Sequence, residues 1–249
     1  MDAITTSGST EVAHANTLRG EWARFGSFLK RPVLPERAPL PNLTSLAAVW
    51  RLLVLDLLIM SMLLAAGALA SAAGVELPET ALAGMELSPG LILAAVVFAP
   101  LGEELLFRSW LSGRPGHMLA FLALLGGGTA TALAVAGRDQ AYYLTAATIT
   151  LLLTALALYL LRRRNALRWF ARIFPIAFWL SALLFASAHL FNFSEENLLA
   201  LAPLVLPQFA IGLVLGYARV NYGLWSSMLL HLLHNGAFIS LVLLASSAA

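Results

Sequence analysis

The chain has 249 residues, 60% of them hydrophobic and only 11% charged, against about 25% charged in ordinary soluble domains. A mean hydropathy of +0.83 and several nearly uncharged runs about 20 residues long exclude a soluble core and require a polytopic helical membrane protein. The net charge is +2 with no cysteine, so disulfides, thiolate metal sites and a cysteine nucleophile are excluded; the basic residues follow topology, not nucleic acid.

Residues 1–17 are small and polar and are expected to be disordered. No short apolar core of a signal peptide precedes residue 46, so the N-terminus is expected to be retained. Leu18, Trp22, Phe25 and Leu29 then recur at helical spacing among Arg19, Arg24, Lys30 and Arg31. That pattern fits a basic amphipathic helix on the membrane surface or, equally, a docking helix. Pro32, Pro35, Pro39 and Pro41 make a stiff linker, and Thr44 or Ser45 is placed to cap the first span. Residues 1–45 thus form a tail, and 46–249 a membrane domain.

Apolar runs predict spans at 46–72, 91–113, 117–136, 141–161, 174–194, 198–218 and 223–245. The expected fold is all-α, with seven or eight transmembrane helices around a membrane-embedded cavity. Gly126–Gly128 in the third span and Pro203 and Pro207 in the sixth leave room for an eighth span or a re-entrant piece. With the N-terminus in the cytoplasm, the inside segments hold Arg19 to Arg51, Arg108, Arg114, Arg162, Arg163, Arg164, Arg168, Arg172 and Arg219. Only Arg138 falls outside, with Glu76, Glu79, Glu86, Asp139, Glu195 and Glu196, which satisfies the positive-inside rule. The Ala/Leu/Arg-rich composition suits a bacterial inner membrane. No internal repeat supports an inverted-repeat transporter.

Ionisable residues inside such spans cost about 2.5–3.5 kcal/mol each on insertion scales, and they mark function. Glu103, Glu104 and Arg108 stand in PLGEELLFRSW. Glu104 and Arg108 are four apart and share a helical face as an ion pair, whereas Glu103 points about 100° away and has no local partner. It is the candidate general base. Phe185 and His189 in FASAHLF share a face, as do His231 and Asn235 in LLHLLHNGAF. An imidazole and a carboxamide side by side can donate to an oxyanion. His234 is read as local packing, and Asp56 as a local ion pair with Arg51 near the inner membrane edge. No G-x-S-x-G is present, nor a Gly/Asp pair of the aspartyl intramembrane type.

Glu-Glu-x-x-x-Arg, Phe-x-x-x-His and His-x-x-x-Asn, in that order on three apolar spans, resemble the CAAX protease and bacteriocin-processing family of intramembrane peptidases, whose eukaryotic members cleave prenylated proteins. The resemblance runs from Leu91 to the C-terminus, with its core over 91–245. It implies that Glu103 and His189 activate a water, that His231 and Asn235 stabilise the tetrahedral oxyanion, and that Glu104, Arg108 and Phe185 support the site. Two spans more than the family is expected to have lie between Glu103 and His189; a pair of spans keeps the flanking helices antiparallel. At 1.5 Å per residue, His189 would lie roughly 5–10 Å further outward than Glu103 and His231, a gap that tilt or a one-turn shift of the fifth span would close.

The expected function is therefore intramembrane endoproteolysis of a membrane-associated protein, carrying a lipidated C-terminal tail or a bacterial sorting signal. No cofactor is expected. Glu103, His189 and His231 would be enough donors for a catalytic zinc, but H-E-x-x-H is absent and the site has its own base and oxyanion donors. A zinc-dependent peptidase is one alternative, a non-catalytic scaffold or immunity protein on the same fold a second, and a transporter a third.

Overall fold

The computed structural model describes residues 15–76, 78, 87–137, 140–193 and 201–248. The stretch expected to be disordered falls almost wholly outside them, as do the acidic loop residues Glu79, Glu86, Asp139, Glu195 and Glu196.

Helix α1 (Leu18–Lys30) begins at Thr17, whose hydroxyl accepts from Gly20 N at 3.1 Å. It packs against the bundle, which decides between the two sequence readings in favour of docking. Phe25 is buried, Phe28 meets Phe174, Phe178 and Tyr217 edge-on, and Trp22 Nε1 donates to the Arg51 carbonyl at 2.9 Å. Glu21 is also fully buried, its Oε1 accepting from Tyr217 at 2.9 Å and Tyr222 at 2.6 Å.

Helix α2 (Leu43–Ala72) is capped by Asn42, whose Oδ1 accepts from Ser45 N at 2.8 Å. The cap is therefore two residues before Thr44 and three before Ser45, because the Asn42 side chain, just outside the helix, reaches an orphan N–H of the first turn. The second span is composite: α3 (Pro89–Leu93), a π-turn over Ala94–Phe98, α4 (Ala99–Arg108) and a 3-10 turn over Ser109–Ser112. Then come α5 (Pro115–Val135), α6 (Gln140–Leu161), α7 (Arg168–Ala188) ending in a 3-10 turn at His189–Asn192, α8 (Leu206–Tyr222) after a 3-10 turn at Ala202–Val205, and α9 (Leu224–Ala248).

Among the described residues, seven helical stretches are long and apolar enough to cross a membrane: Leu43–Ala72, Pro89–Ser112, Pro115–Ala134, Ala141–Leu161, Arg168–Asn192, Ala202–Tyr222 and Leu224–Ala245. Each overlaps an expected span. Gly126–Gly128 run through α5 as unbroken helix, and Pro207 sits in the first turn of α8, where a missing N–H costs nothing.

Helix α8 is the centre of the bundle, buried without interruption from Ile211 to Tyr222. Its Gly212 and Gly216 are one turn apart and let α7 approach closely. A Cβ at Gly216 would stand 2.9 Å from the Phe178 ring, and one at Gly212 would stand 3.2 Å from that of Phe185. Helices α2 and α9 pack on α8 and on each other, and α4 packs on α7 and α9. Helices α5 and α6, the two spans between Glu103 and His189, pack chiefly against one another. They form a hairpin beside the α4–α7–α9 contacts.

Candidate active site

Helix α4 presents Glu104 and Arg108 to the interior on one face. Neither is exposed at all, and Arg108 Nη1 lies 3.0 Å from Glu104 Oε1, as the i,i+4 spacing requires. The Arg108 guanidinium also lies 3.9 Å from the centre of the Phe185 ring, a cation–π contact strengthened by the lack of water. Arg219, read from sequence only as a marker of topology, is buried and serves the end of this helix. Its Nε donates to the Arg108 carbonyl at 2.9 Å and its Nη2 to the Ser109 carbonyl at 3.2 Å, satisfying acceptors that a helix C-terminus leaves open.

Helix α7 brings Phe185 and His189 to this face. It starts at Arg168, six residues before the expected boundary, because Phe170 and Phe174 belong to the buried face. Ser181 Oγ donates to the Phe107 carbonyl at 2.7 Å, and Phe185 meets Phe107 edge-on at 5.5 Å. Phe185 is thus level with Phe107 and Arg108. At the last turn of α7, His189 Nδ1 donates to the Phe185 carbonyl at 2.8 Å. A carbonyl can only accept, so Nδ1 carries a proton, and in the neutral ring Nε2 is then the lone pair.

Helix α9 supplies the third element. His231 is 3% exposed and lies between the two carboxylates: Nδ1 is 3.0 Å from Glu104 Oε1, and Nε2 is 3.6 Å from Glu103 Oε2. Glu103, partly exposed, therefore has the His231 ring as its close polar neighbour. It forms no hydrogen bond or ion pair with His189 among the described residues; the Phe185 ring lies against both imidazoles, at 4.7 Å from His189 and 5.6 Å from His231.

Asn235, one turn beyond His231, donates from Nδ2 to the Ala95 carbonyl at 2.8 Å. The reason lies in the opposite helix. The π-turn shifts the backbone ladder by one residue, so that Ala99 N bonds the Ala94 carbonyl. In that register the carbonyl of Ala95 faces residue 100, a proline with no N–H. Asn235 fills the vacancy with one amide proton and keeps the other.

Two expectations are corrected at His234. It was read as packing, and Asp56 as the partner of Arg51. Instead His234 Nδ1 lies 2.6 Å from Asp56 Oδ2, whose side chain is fully buried. Arg51 donates to the carbonyls of Ala15 and Asn16, at 2.7 and 3.2 Å. A five-residue interval sets two side chains about 140° apart on a helix, so the Arg51–Asp56 spacing itself already argued against a local pair.

Among the described residues, no three His, Asp or Glu side chains gather as a metal-binding group. Glu103 and His231 stand together, and His189 stands beyond Phe185. The arrangement offers a partly exposed carboxylate, an imidazole fixed by a buried carboxylate, a half-used carboxamide and a second imidazole with a free Nε2, all within apolar walls.

No curated protein and no solved structure matches the chain. A family model does, described as type II CAAX prenyl endopeptidase Rce1-like. It covers residues 84–237, more than half of the chain and all the motif residues from Glu103 to Asn235. The chain therefore belongs to the Rce1-like family of type II CAAX prenyl endopeptidases, which are intramembrane proteases.

Proposed function

We propose that this protein hydrolyses a peptide bond near the C-terminus or within a transmembrane segment of a membrane-associated protein, by a metal-independent, glutamate-type mechanism. Its expected location is a bacterial inner membrane, with the N-terminus and the arginine-rich helix ends in the cytoplasm. The observation that carries the reading is His231, held between Glu103 and Glu104 inside an apolar bundle.

In this mechanism Glu103 accepts a proton from a water that His189 Nε2 also orients. The resulting hydroxide attacks the carbonyl carbon, and the carbonyl oxygen takes up the negative charge. His231 Nε2–H and the second N–H of Asn235 donate to that oxyanion. Glu103 then passes its proton to the departing amine nitrogen as the C–N bond breaks. Glu104 fixes which face His231 presents. With His231 doubly protonated, two carboxylates face two cations, Arg108 and the imidazolium, and the buried group sums to zero charge. That balance favours His231 as a donor rather than a metal ligand. A zinc-dependent version would need His189 brought up to Glu103 and His231.

The test is cleavage by the purified protein in lipid, wild type beside Glu103→Gln, on membrane proteins of the native host, with and without a strong zinc chelator. A product made only by the wild type and unaffected by chelation is expected. Loss on chelation with recovery on adding zinc overturns the metal-independent mechanism. Cleavage by Glu103→Gln at the wild-type rate overturns the role of Glu103.

A further inference from the structure

A cavity of about 630 Å³ lies at the arginine-rich end of the bundle, away from the Glu103–His231 centre. The linker from Leu34 to Pro41 forms one wall, and α4 with its 3-10 turn and the ends of α5, α6, α8 and α9 form the rest. Gly223, between α8 and α9, has φ of +102°, and a Cβ there would meet the Trp225 ring at 3.1 Å and Pro39 O at 3.7 Å. Glycine thus lets the chain turn tightly while the linker closes over it.

The lining is apolar apart from three guanidinium groups, Arg37, Arg114 and Arg219, the Glu36 carboxylate, the hydroxyls of Ser109 and Ser112, and the imidazole of His117. Each guanidinium is held by backbone. Arg114 donates to the Arg162 and Arg164 carbonyls, Arg37 to the Arg163 carbonyl, and Arg219 to those of Arg108 and Ser109. Among the described residues, none of the three forms an ion pair with a carboxylate, and the one lining carboxylate, Glu36, is exposed. Carbonyl bonds orient these groups, and none of them is neutralised by a carboxylate in direct contact. Burial and the charge of Arg37 hold the Arg114 guanidinium below its ordinary range, so the two cations strain against each other.

The cavity also has a defined depth. Spans end at Ser112, Leu161 and Tyr222 and begin at Pro115 and Leu224, and residues on both sides of these boundaries line it. It lies where the hydrocarbon layer gives way to headgroups, beside apolar α5 and α6 surfaces that expose Leu119, Leu122 and Leu160. Fixed cations at this level, with an apolar approach, match a lipid phosphate better than a freely diffusing anion.

We propose that this cavity binds the phosphate headgroup of an anionic phospholipid, with Arg37, Arg114 and Arg219 around the phosphate and an acyl chain lying along the α5–α6 hairpin. The bound lipid would brace the proline-rich linker against the bundle at the point where Arg219 supports the end of α4.

Binding is read by native mass spectrometry and thermal shift on the purified full chain in detergent. The probes are dioleoyl phosphatidylglycerol, dioleoyl phosphatidylcholine and inorganic phosphate. Arg37→Glu/Arg114→Gln removes cavity charge, and Arg168→Gln removes an exposed arginine at the same end. Wild type and Arg168→Gln are expected to bind phosphatidylglycerol about tenfold or more tightly than the double variant does, and more tightly than they bind phosphatidylcholine. An unshifted melting temperature without added lipid shows that the double variant is folded; if it is shifted, Arg37→Glu alone, on the exposed linker, replaces it. Equal phosphatidylglycerol binding by the variant and wild type overturns the proposal. So does an equal loss in Arg168→Gln, which would mean diffuse surface attraction. Saturation by millimolar inorganic phosphate, with displacement of the lipid, overturns the lipid assignment in favour of a free anion.

Discussion

Asp56 Oδ2 lies 2.6 Å from His234 Nδ1, joining the first membrane span to the last. The pair is one residue from Asn235 and one turn from His231, and Asp56 lies outside the region matched by the family. It fixes the rotation of α9, on which the orientation of His231 toward Glu103 and Glu104 depends. Asp56→Ala removes the acceptor and leaves a half-buried imidazole N–H unpaired. We expect it to lose about 2–3 kcal/mol of stability and to lower cleavage. Asp56→Asn keeps an acceptor oxygen and should lose less than half as much. Thermal unfolding in detergent, followed by the cleavage assay, checks both. A cycle with His234→Ala should show the two losses to be strongly non-additive.

The Glu104–Arg108 pair is fully buried, so removing one partner is expected to cost more than removing both. Arg108→Met leaves the buried Glu104 carboxylate without its guanidinium partner, a loss of about 3–5 kcal/mol. Glu104→Gln/Arg108→Met removes both charges, keeps an acceptor for His231 and should recover much of that stability. Cleavage should stay low in the double variant, because a neutral amide holds the imidazole less firmly than a carboxylate. Melting curves of the two variants decide the first point. A double variant no more stable than Arg108→Met would show that the arginine contributes through packing on Phe185.

What was legible in the sequence followed from geometry within one helix. Glu104 and Arg108 are four apart, and Phe185–His189 and His231–Asn235 repeat the interval, so each pair had to share a face. The spans followed from hydropathy. What was not legible depended on partners distant in sequence. The start of α7 was placed late because Arg168 and Arg172 make its first turns look polar, although Phe170 and Phe174 on the other side are buried. Asp56 lacked a partner at helical spacing, and its partner is 178 residues away. Glu21 carried no signal in the sequence, because the tyrosines that bind it are on α8.

That contact of α1 is testable. Glu21→Ala leaves the Tyr217 and Tyr222 hydroxyls without their buried acceptor, at an expected cost of about 1–3 kcal/mol. The cost falls locally on α1, which is held otherwise by Phe25, Phe28 and Trp22. Hydrogen exchange should therefore accelerate in Leu18–Lys30 well before it does in α8. Exchange unchanged in α1 would mean that its aromatic contacts alone hold it.

The contact between Asn235 and Ala95 gives the sharpest separation of structure from chemistry. If the carboxamide is there to satisfy a carbonyl stranded by the π-turn and Pro100, Asn235→Ala should cost about 1–3 kcal/mol. Pro100→Ala should then compensate, because it restores a backbone N–H five residues beyond Ala95, in the register that the π-turn sets. We expect Asn235→Ala/Pro100→Ala to regain more than half of the stability lost by Asn235→Ala, as read from melting temperature. Cleavage should not return with it, since the proposed oxyanion donor is the amide itself. Stability losses that merely add would show that the stranded carbonyl is not what Asn235 serves. Recovery of cleavage together with stability would reduce Asn235 to a positioning residue and leave His231 as the donor to the oxyanion.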